Sequence, residues 1–245
     1  LQYLPLIALL SPIALAATAV SSWFRFGLRL HLIKRLAIIA TLVSGATAIA
    51  CSIFLINNGQ MESVLVGSNG LGFSLRLDAV SVIMFDMIAL LSFIIMKFSF
   101  NYLGGDPRQG SFLARLAAVM ASVQLLVLSG NLALLLCAWA LTSLSLHRLL
   151  VFYRERPVAI IAARKKFLIA RISDVVLTMA IVLLYQEFDT GSLQAIFDAV
   201  QALPVGATSV SLEVACIFFA LTAIFKSAQF PTHGWLIEVM ETPTP

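Results

Sequence analysis

The sequence carries very little charge for its length. Only 11% of its 245 residues are Asp, Glu, Lys or Arg, and 60% are hydrophobic, whereas a soluble domain carries about 25% charged residues. This shortage excludes a soluble globular enzyme. The formal net charge of +4 does not indicate a nucleic-acid-binding protein, because basic residues without a soluble basic domain are typical of cytoplasmic loops. We therefore expect an all-α polytopic membrane protein surrounded by the lipid bilayer, with no nucleic-acid partner.

Cysteine and histidine are also scarce. The three cysteines, Cys51, Cys137 and Cys216, lie in separate apolar runs and form no CxxC pair. This spacing excludes a disulfide framework and a zinc site, and it predicts buried free thiols. No metal or cofactor is expected in this chain, and no residue is assigned a catalytic role.

The sequence does contain apolar runs that are long enough to cross a bilayer. Seven spans are predicted, and the seventh ends at a helix break: about 3–23, 36–56, 79–100, 112–128, 132–153, 167–185 and 210–226. Basic connections alternate with connections that carry almost no basic residues, and the basic ones stay in the cytoplasm. The pattern predicts a single membrane domain over 1–245 with its amino terminus outside. Because the chain begins without Met and stops inside a motif, it is interpreted as the first part of a longer subunit.

Two connections have a structure of their own. Residues 57–78 contain Asn-Asn-Gly and Gly-Ser-Asn-Gly turns between alternating apolar residues, which predicts an external β-hairpin. Residues 187–207 are too polar to span, and their apolar side chains fall on one helical face. This predicts a short amphipathic helix on the outer surface.

The connection between the fifth and sixth spans is predicted to be the most basic loop of the chain. Pro157 is interpreted as a residue that stops a helix. The basic residues on either side of it are therefore placed in a cytoplasmic loop: Arg154, Arg156, Arg164, Lys165 and Lys166.

The strongest functional candidate is Lys226, at the end of the seventh span. The helix is predicted to break just after it, at Gln229 and Pro231. A lysine in apolar surroundings has its charged form disfavoured, and it becomes sensitive to a nearby carboxylate such as Asp174 on the preceding span. Lys226 is therefore predicted to release and rebind a proton, which gives it a place in a proton path.

Other ionisable residues within the spans have two interpretations each. Arg171 and Asp174 are spaced i, i+3 and can pair, either as a structural bridge or as part of the path. Asp86 in the third span either lines the path or pairs locally. His147 in the fifth span can relay protons, because imidazole titrates near neutral pH. All of these are retained as candidates for the proton path.

Several motifs resemble one family of membrane proteins. The runs Lys-Ser-Ala-Gln-Phe-Pro at 226–231, His-Gly-Trp-Leu at 233–236 and Thr-Pro-Thr-Pro at 242–245 resemble the signature of antiporter-like subunits. That superfamily includes the NuoL-type proton-pumping subunits of respiratory complex I and the Mrp cation/proton antiporter subunits. The resemblance implies the N-terminal part of an antiporter-like fold, a bundle of about seven transmembrane helices with a broken seventh helix. It also implies a half-channel in which a carboxylate on the fifth span pairs with Lys226.

The sequence departs from this pattern after Trp139, where Ala140 stands in place of the expected glutamate. The run from Trp139 to Leu150, with residues 232–235 and 238–243, is more similar to the DabB (MpsA) family, the membrane subunits of a two-part inorganic carbon transporter. This resemblance implies that an H⁺ or Na⁺ gradient drives carbon uptake together with a peripheral partner (DabA) that resembles a zinc β-carbonic anhydrase. The zinc is then expected in the partner.

The same resemblance implies a bacterial inner-membrane transporter subunit that is not an enzyme by itself. Residues flanking the helix break are expected to contact the partner or the path: His233, Glu238 and Glu241. Two alternatives remain. The chain is a proton-pumping subunit of a complex I or Mrp type, which would make it part of a translocase, or it is a structural bundle in which the buried charges merely pair.

Overall fold

The computed structural model describes residues 3–24, 30–68, 70–153, 155–204, 208–227, 229–230 and 232–238. The chain divides into two compact units. Of the described residues, the first unit contains those up to Val64 together with Leu75–Leu128, and the second contains Leu65–Ser74 and those from Ser129 to Glu238.

The first unit is a bundle of four helices. A 3-10 turn, Leu4–Leu9, leads into α1 (Leu10–Phe24), and the chain continues through α2 (Leu30–Asn58), α3 (Ala79–Tyr102) and α4 (Gln109–Val127). Helix α1 packs against α2 and α4, and α2 packs against α3. Helix α3 begins where the sequence favours it, because Asp78 and Ser81 form a reciprocal capping box that satisfies free N–H groups at the helix start.

Polar side chains link three helices inside this unit. The hydroxyl of Ser11 donates to the side-chain carbonyl of Gln124 at 2.6 Å, and the amide of Gln124 donates to the hydroxyl of Ser44 at 2.7 Å. All three residues are buried. Hydrogen bonds of this kind hold helices together in lipid, where the hydrophobic effect does not distinguish one helix face from another.

The predicted β-hairpin is present as two nested antiparallel pairs. Strand β1 (Met61–Glu62) pairs with β4 (Arg76–Leu77), and β2 (Val66–Ser68) pairs with β3 (Leu71–Phe73). The inner turn contains Gly70 with φ of +73°, a conformation that glycine adopts without strain. The side of the membrane on which the hairpin lies stays a prediction.

The second unit is organised around one long helix. It contains α5 (Leu132–Leu150), α6 (Pro157–Phe188), α7 (Leu193–Gln201), α8 (Val210–Lys226) and α9 (Gly234–Glu238). Helix α6 packs against α5, α8 and α9. Three of these helices begin at a side chain that accepts a backbone N–H: Asn131 for α5, Ser192 for α7 and Ser209 for α8.

The predicted amphipathic helix within residues 187–207 corresponds to α7. Part of its apolar face is used inside the second unit, where Ile196 is buried against α6. Phe197 and Val200 of the same face are exposed. The opposite side is exposed, and Gln194 donates to Asp198 there at 2.8 Å. The position of this helix on the outer surface stays a prediction.

Six helices of the described chain are long and apolar enough to cross a membrane: Leu4–Ser21, Leu30–Asn58, Ala79–Tyr102, Gln109–Val127, Leu132–Leu150 and Pro157–Phe188. The seventh predicted span is α8, which has 17 residues. At about 1.5 Å per residue it reaches about 25 Å, a little less than the hydrocarbon thickness of about 30 Å. The predicted break is also present, because α8 ends at Lys226 and the next described helix begins at Gly234.

The predicted start of the sixth span was wrong. Pro157 does not stop a helix but begins α6, because proline is favoured in the first helical turn, where its missing N–H would have no partner. Helix α6 therefore starts ten residues before the predicted span. Arg164, Lys165 and Lys166 lie on this helix and not in a loop.

The predicted burial of the cysteines is confirmed only for Cys51. Cys137 and Cys216 are exposed, because a position in an apolar run does not determine which face of the helix packs against a neighbour.

Candidate functional site

The candidate site of the second unit lies along the face of α5 that meets α6. Trp139, Ser143 and His147 follow one another at intervals of four residues, so they occupy the same face of the helix. Each of them contacts α6 by a polar atom. The contacts join Trp139 Nε1 to Ser173 Oγ at 3.4 Å, Ser143 O to Lys166 Nζ at 3.5 Å, and His147 Nδ1 to Ala163 O at 3.3 Å.

Lys226 reaches this face from the end of α8. Its ammonium donates to the carbonyl of Trp139 at 2.9 Å, to the hydroxyl of Thr142 at 3.0 Å and to the hydroxyl of Ser143 at 2.7 Å. An ammonium group has three N–H donors, so the oxygens of α5 satisfy all of them. The nitrogen also lies 4.5 Å from the centre of the Trp139 ring, within the range of a cation–π interaction.

The two hydroxyls are oriented by their own helix. Thr142 Oγ1 donates to the carbonyl of Trp139 at 2.7 Å, and Ser143 Oγ donates to the same carbonyl at 3.3 Å. Such bonds to the preceding turn fix the hydroxyl hydrogen, so the oxygen lone pairs are available to the ammonium of Lys226. The site thus holds a cation with neutral oxygens.

Asp174 forms an ion pair within its own helix, which is one of the interpretations that the sequence left open for it. Its carboxylate forms an ion pair with Arg171 at 2.8 Å, whereas Lys226 bonds to α5. The pairing of Arg171 with Asp174 follows from their i, i+3 spacing, which brings two side chains together on one helix. The guanidinium of Arg171 also lies 5.0 Å from the centre of the Phe167 ring.

A second set of contacts ties the three helices together around Lys226. Ser173, which is fully buried, accepts from the Trp139 indole and donates to the carbonyl of Thr222 at 3.2 Å. Thr222 precedes Lys226 by four residues, which is about one turn of α8. The position of the lysine is therefore coupled to both α5 and α6.

Lys166 is a candidate that the sequence reasoning missed. Its side chain is buried, with a relative exposure of 7%, and its nitrogen lies 3.5 Å from the carbonyl of Ser143. It was overlooked because the interpretation of Pro157 placed it in a loop. The usable signal in the sequence was the spacing i, i+4, i+7, i+11 of Lys166, Ala170, Ser173 and Leu177, which follows one helical face. The structure shows that this face is buried.

His147 lies one turn beyond Ser143 on α5. Its Nδ1 is 3.3 Å from the carbonyl of Ala163, and its ring is 4.7 Å from the ring of Phe167. A carbonyl only accepts hydrogen bonds, so Nδ1 carries the hydrogen in this contact and Nε2 is the nitrogen that can take up a proton.

Asp86 belongs to the first unit. Its carboxylate accepts a hydrogen bond from the hydroxyl of Ser52 at 2.6 Å, which links α3 to α2. The structure thus gives Asp86 a local partner.

The helix break follows Lys226 directly. The carbonyl of Gln229 accepts from the N–H of Thr232 at 2.7 Å and from its hydroxyl at 2.9 Å. His233 is exposed, with its ring 6.0 Å from that of Phe230, and Glu238 ends α9. Pro231 and Glu241 lie outside the described residues.

In the part of the chain that the structure describes, no three His, Cys, Asp or Glu side chains lie close enough together to hold a metal ion. The ionisable groups that do come together in the second unit are Lys166, Arg171, Asp174 and Lys226, with His147 beside them. Amine, carboxylate and imidazole groups are the side chains that bind and release protons in proteins.

Two family models match the chain. Residues 129–245 match the model described as NADH:quinone oxidoreductase/Mrp antiporter, and residues 64–113 match the model of the N-terminus of chain 5 of NADH-ubiquinone oxidoreductase (complex I). Together they include strands β2, β3 and β4 of the hairpin and all the site residues of the second unit.

Individual relatives match at moderate identity. The chain is 39% identical to the probable inorganic carbon transporter subunit DabB2 of Halothiobacillus neapolitanus over 75% of this chain and 33% of the relative. It is 37% identical to the probable inorganic carbon transporter subunit DabB of Hydrogenovibrio crunogenus over 67% of this chain and 32% of the relative. It is 32% identical to NADH-quinone oxidoreductase subunit L of Escherichia coli over 74% of this chain and 29% of the relative. The chain thus spans about a third of the length of these relatives.

Solved structures share the fold. The Mrp complex from Dietzia sp. contains a chain that matches with a TM-score of 0.77 at 22% identity, over 97% of this chain and 25% of that one. A chain of the membrane-bound sulfane sulfur reductase, an archaeal respiratory membrane complex, matches with a TM-score of 0.77 at 17% identity, over 98% of this chain and 47% of that one. The fold, the site motif and both family models agree: the chain is a multi-pass membrane protein that belongs to the antiporter-like subunit family of NADH:quinone oxidoreductases and Mrp antiporters.

Proposed function

We propose that the chain belongs to a cation-translocating membrane subunit in which Lys226 binds and releases a proton. The observation that supports this is the set of three neutral oxygens around its ammonium. Neutral acceptors stabilise the charged lysine, but they hold it less strongly than a carboxylate does. The proton can therefore leave when the surroundings change. Arg171 and Asp174 supply the nearby charges that bias this step, and His147 provides one end of the path.

We further propose that proton movement energises inorganic carbon uptake. Ala140 stands where a carboxylate was expected, and the hydroxyls of Thr142 and Ser143 bind the lysine in its place. The relatives at 39% and 37% identity carry the name of inorganic carbon transporter subunits. In this proposal a peripheral carbonic-anhydrase-like partner holds zinc and converts CO2 and bicarbonate, while this chain holds no cofactor.

The proposal places the protein in a bacterial inner membrane with its amino terminus outside. His233, Glu238 and Glu241, which flank or follow the helix break, are assigned to contacts with the partner or the path. Asp86 is assigned to a separate entrance in the first unit, beside Ser52.

The test uses the full-length subunit expressed with its partner in a bacterial strain that lacks its own bicarbonate uptake. We expect Lys226→Met to lower the initial rate of labelled bicarbonate uptake at least about 10-fold, because methionine is an unbranched side chain of similar size that has no titratable group. Lys226→Arg is expected to be as inactive, because a guanidinium does not release its proton. Lys97→Met is the matched control, since Lys97 is an exposed lysine of α3.

Bicarbonate uptake that persists in Lys226→Met, with expression equal to the wild type, would overturn the proposal. The ion is identified by the same assay. A protonophore is expected to abolish uptake, and loss of uptake only after sodium removal would assign Na⁺ as the coupling ion.

A second function is favoured by the family models and by the 32% identity to subunit L of Escherichia coli NADH-quinone oxidoreductase. In that case the chain pumps protons within a complex I or Mrp type of assembly. Purification of the tagged full-length protein separates the two functions. A zinc protein in the eluate supports carbon uptake, and a redox complex of many subunits supports the second function.

A further inference from the structure

Two lysines from different helices meet at one residue of α5. Lys226 of α8 donates to the hydroxyl of Ser143 at 2.7 Å, and Lys166 of α6 lies 3.5 Å from the carbonyl of the same residue. Since both contacts end on Ser143, covalent geometry places the two nitrogens no more than about 10 Å apart. The lysines are therefore neighbours, although 60 positions separate them in the sequence.

The two ammonium groups are satisfied to different degrees. All three donors of Lys226 have an oxygen within 3.0 Å. Among the described residues, Lys166 has a single hydrogen bond, and at 3.5 Å this bond is at the limit of what counts as one. Lys166 is also 7% exposed, so water does little to satisfy its remaining donors. A buried ammonium with so few acceptors is costly, so the arrangement seen here suits Lys166 as a neutral amine.

The charges around the pair lead to the same assignment. Three basic side chains, Lys166, Arg171 and Lys226, share the site with one carboxylate, Asp174, and this carboxylate is paired with Arg171. If both lysines were charged, the two charges would oppose each other in poorly hydrated surroundings. The site is best satisfied when one lysine of the pair is charged and the other is neutral.

We infer that Lys166 is a second proton carrier, which receives the proton that Lys226 releases; this inference rests on the proposed translocation of protons. One N–H bond of the Lys226 ammonium breaks, and the lone pair of the Lys166 amine forms a new N–H bond, so the pair keeps one positive charge. For this transfer the Ser143 hydroxyl turns its hydrogen from the Trp139 carbonyl toward Lys166. It gives that hydrogen to Lys166 as its oxygen accepts the proton of Lys226.

The position of His147 supplies the next step of the path. It follows Ser143 by one turn of α5, and it contacts Ala163 and Phe167, which flank Lys166 on α6. The order along the helix interface is then Lys226, Lys166, His147. The path replaces a lysine–carboxylate pair with a lysine–lysine pair that shares one serine.

The experiment uses the complete complex reconstituted into liposomes on a solid-supported membrane, and it records the current after a pH jump. The wild type is expected to give a sustained current and Lys226→Met to give none. Lys166→Met is expected to keep the brief charge displacement of Lys226 and to lose the sustained current at least about 10-fold. Lys165→Met is the matched control, since this adjacent lysine lies on the exposed side of α6, and it is expected to conduct as the wild type does.

Lys166→Arg separates proton transfer from a structural role. Arginine keeps the positive charge but does not release a proton. If Lys166 carries protons, this variant loses the sustained current. If Lys166 is only a structural cation, this variant keeps it. Lys166→Gln is measured alongside, so that a folded neutral variant is available if methionine disturbs assembly. Thermal unfolding and recovery of the partner check that each variant is assembled.

Each outcome decides one question. A wild-type current in assembled Lys166→Met or Lys166→Gln, or rescue by Lys166→Arg, overturns the inference and leaves the proposed function in place. A sustained current in Lys226→Met overturns the proposed function itself. Loss of the sustained current in all three Lys166 variants, with a normal Lys165→Met, supports the inference.

Discussion

Lys226 donates a hydrogen bond of 2.7 Å to the hydroxyl of Ser143, 83 positions earlier in the chain. The bond ties the end of α8 to the middle of α5, and the helix breaks immediately after the lysine. Backbone that leaves the helix at membrane depth is tolerated where protein or water satisfies its polar groups. The contact between these two residues thus fixes a cation at the point where the fold departs from regular structure.

Removal of the Ser143 hydroxyl tests how much the contact contributes. Ser143→Ala deprives a charged donor of one acceptor, and we expect a loss of about 1–3 kcal/mol in stability together with a lower rate of uptake. Thermal unfolding of the detergent-solubilised subunit measures the first effect. Ser145→Ala is the matched control, because it removes a hydroxyl two positions along the same helix and therefore from a different face. Equal costs for the two variants would contradict the role assigned to Ser143.

A carboxylate at position 140 is expected to bind the Lys226 ammonium so strongly that the lysine releases its proton less readily. Ala140 is next to Trp139 and one turn before Ser143, so the side chain of Ala140→Glu can reach the ammonium of Lys226. A lysine–carboxylate pair is stronger than hydrogen bonds to hydroxyls. We therefore expect a higher melting temperature and an uptake rate that falls at least about 5-fold. Ala140→Gln, which has the same shape without the charge, is expected to lower uptake less. An increase in uptake in Ala140→Glu would contradict this account of the site.

Much of the fold could be predicted from local signals in the sequence. Apolar runs gave the order of the helices, and residues such as Asp78 at the start of α3 and Asn131 at the start of α5 are helix caps that the sequence displays directly. The hairpin followed from its turn residues. Each of these features depends on neighbours within a few positions, which is the range in which pattern reasoning works.

The site was predicted less completely because it depends on contacts between distant helices. Lys226 was identified because a charged lysine in an apolar run is energetically unfavourable. The groups that bind it, Thr142 and Ser143, are ordinary residues of a membrane helix. Small hydroxyl residues satisfy themselves by bonding to the preceding turn, and nothing in the sequence marks the ones that also bind a lysine. Lys166 was missed for a different reason, because Pro157 can end one helix or begin the next.

The ion pair of Arg171 and Asp174 has a structural and a functional interpretation that mutation separates. Asp174→Asn leaves Arg171 without its partner, and we expect a loss of about 1–3 kcal/mol, less than for a fully buried pair because the Arg171 side chain is 34% exposed. The double variant Arg171→Gln with Asp174→Asn is expected to recover most of that stability. Under the proposed function it does not recover uptake, since the charges that bias Lys226 are missing. Recovery of uptake in the double variant would assign the pair a purely structural role.

The ring of Trp139 contributes to the site independently of its carbonyl. In Trp139→Phe the backbone oxygen and an aromatic face remain, and only the indole bond to Ser173, which is long at 3.4 Å, is lost. We expect this variant to lose less than about 1 kcal/mol and to keep most of its uptake. In Trp139→Leu the cation–π contact disappears as well, which costs a further amount of about 0.5–2 kcal/mol, and the Lys226 ammonium is left with oxygen partners alone. Because both variants keep the three oxygens, the difference between their melting temperatures and uptake rates measures the effect of the ring on the lysine. If Trp139→Leu and Trp139→Phe behave alike in both measurements, the ring only fills space and the oxygens of α5 hold the charge by themselves.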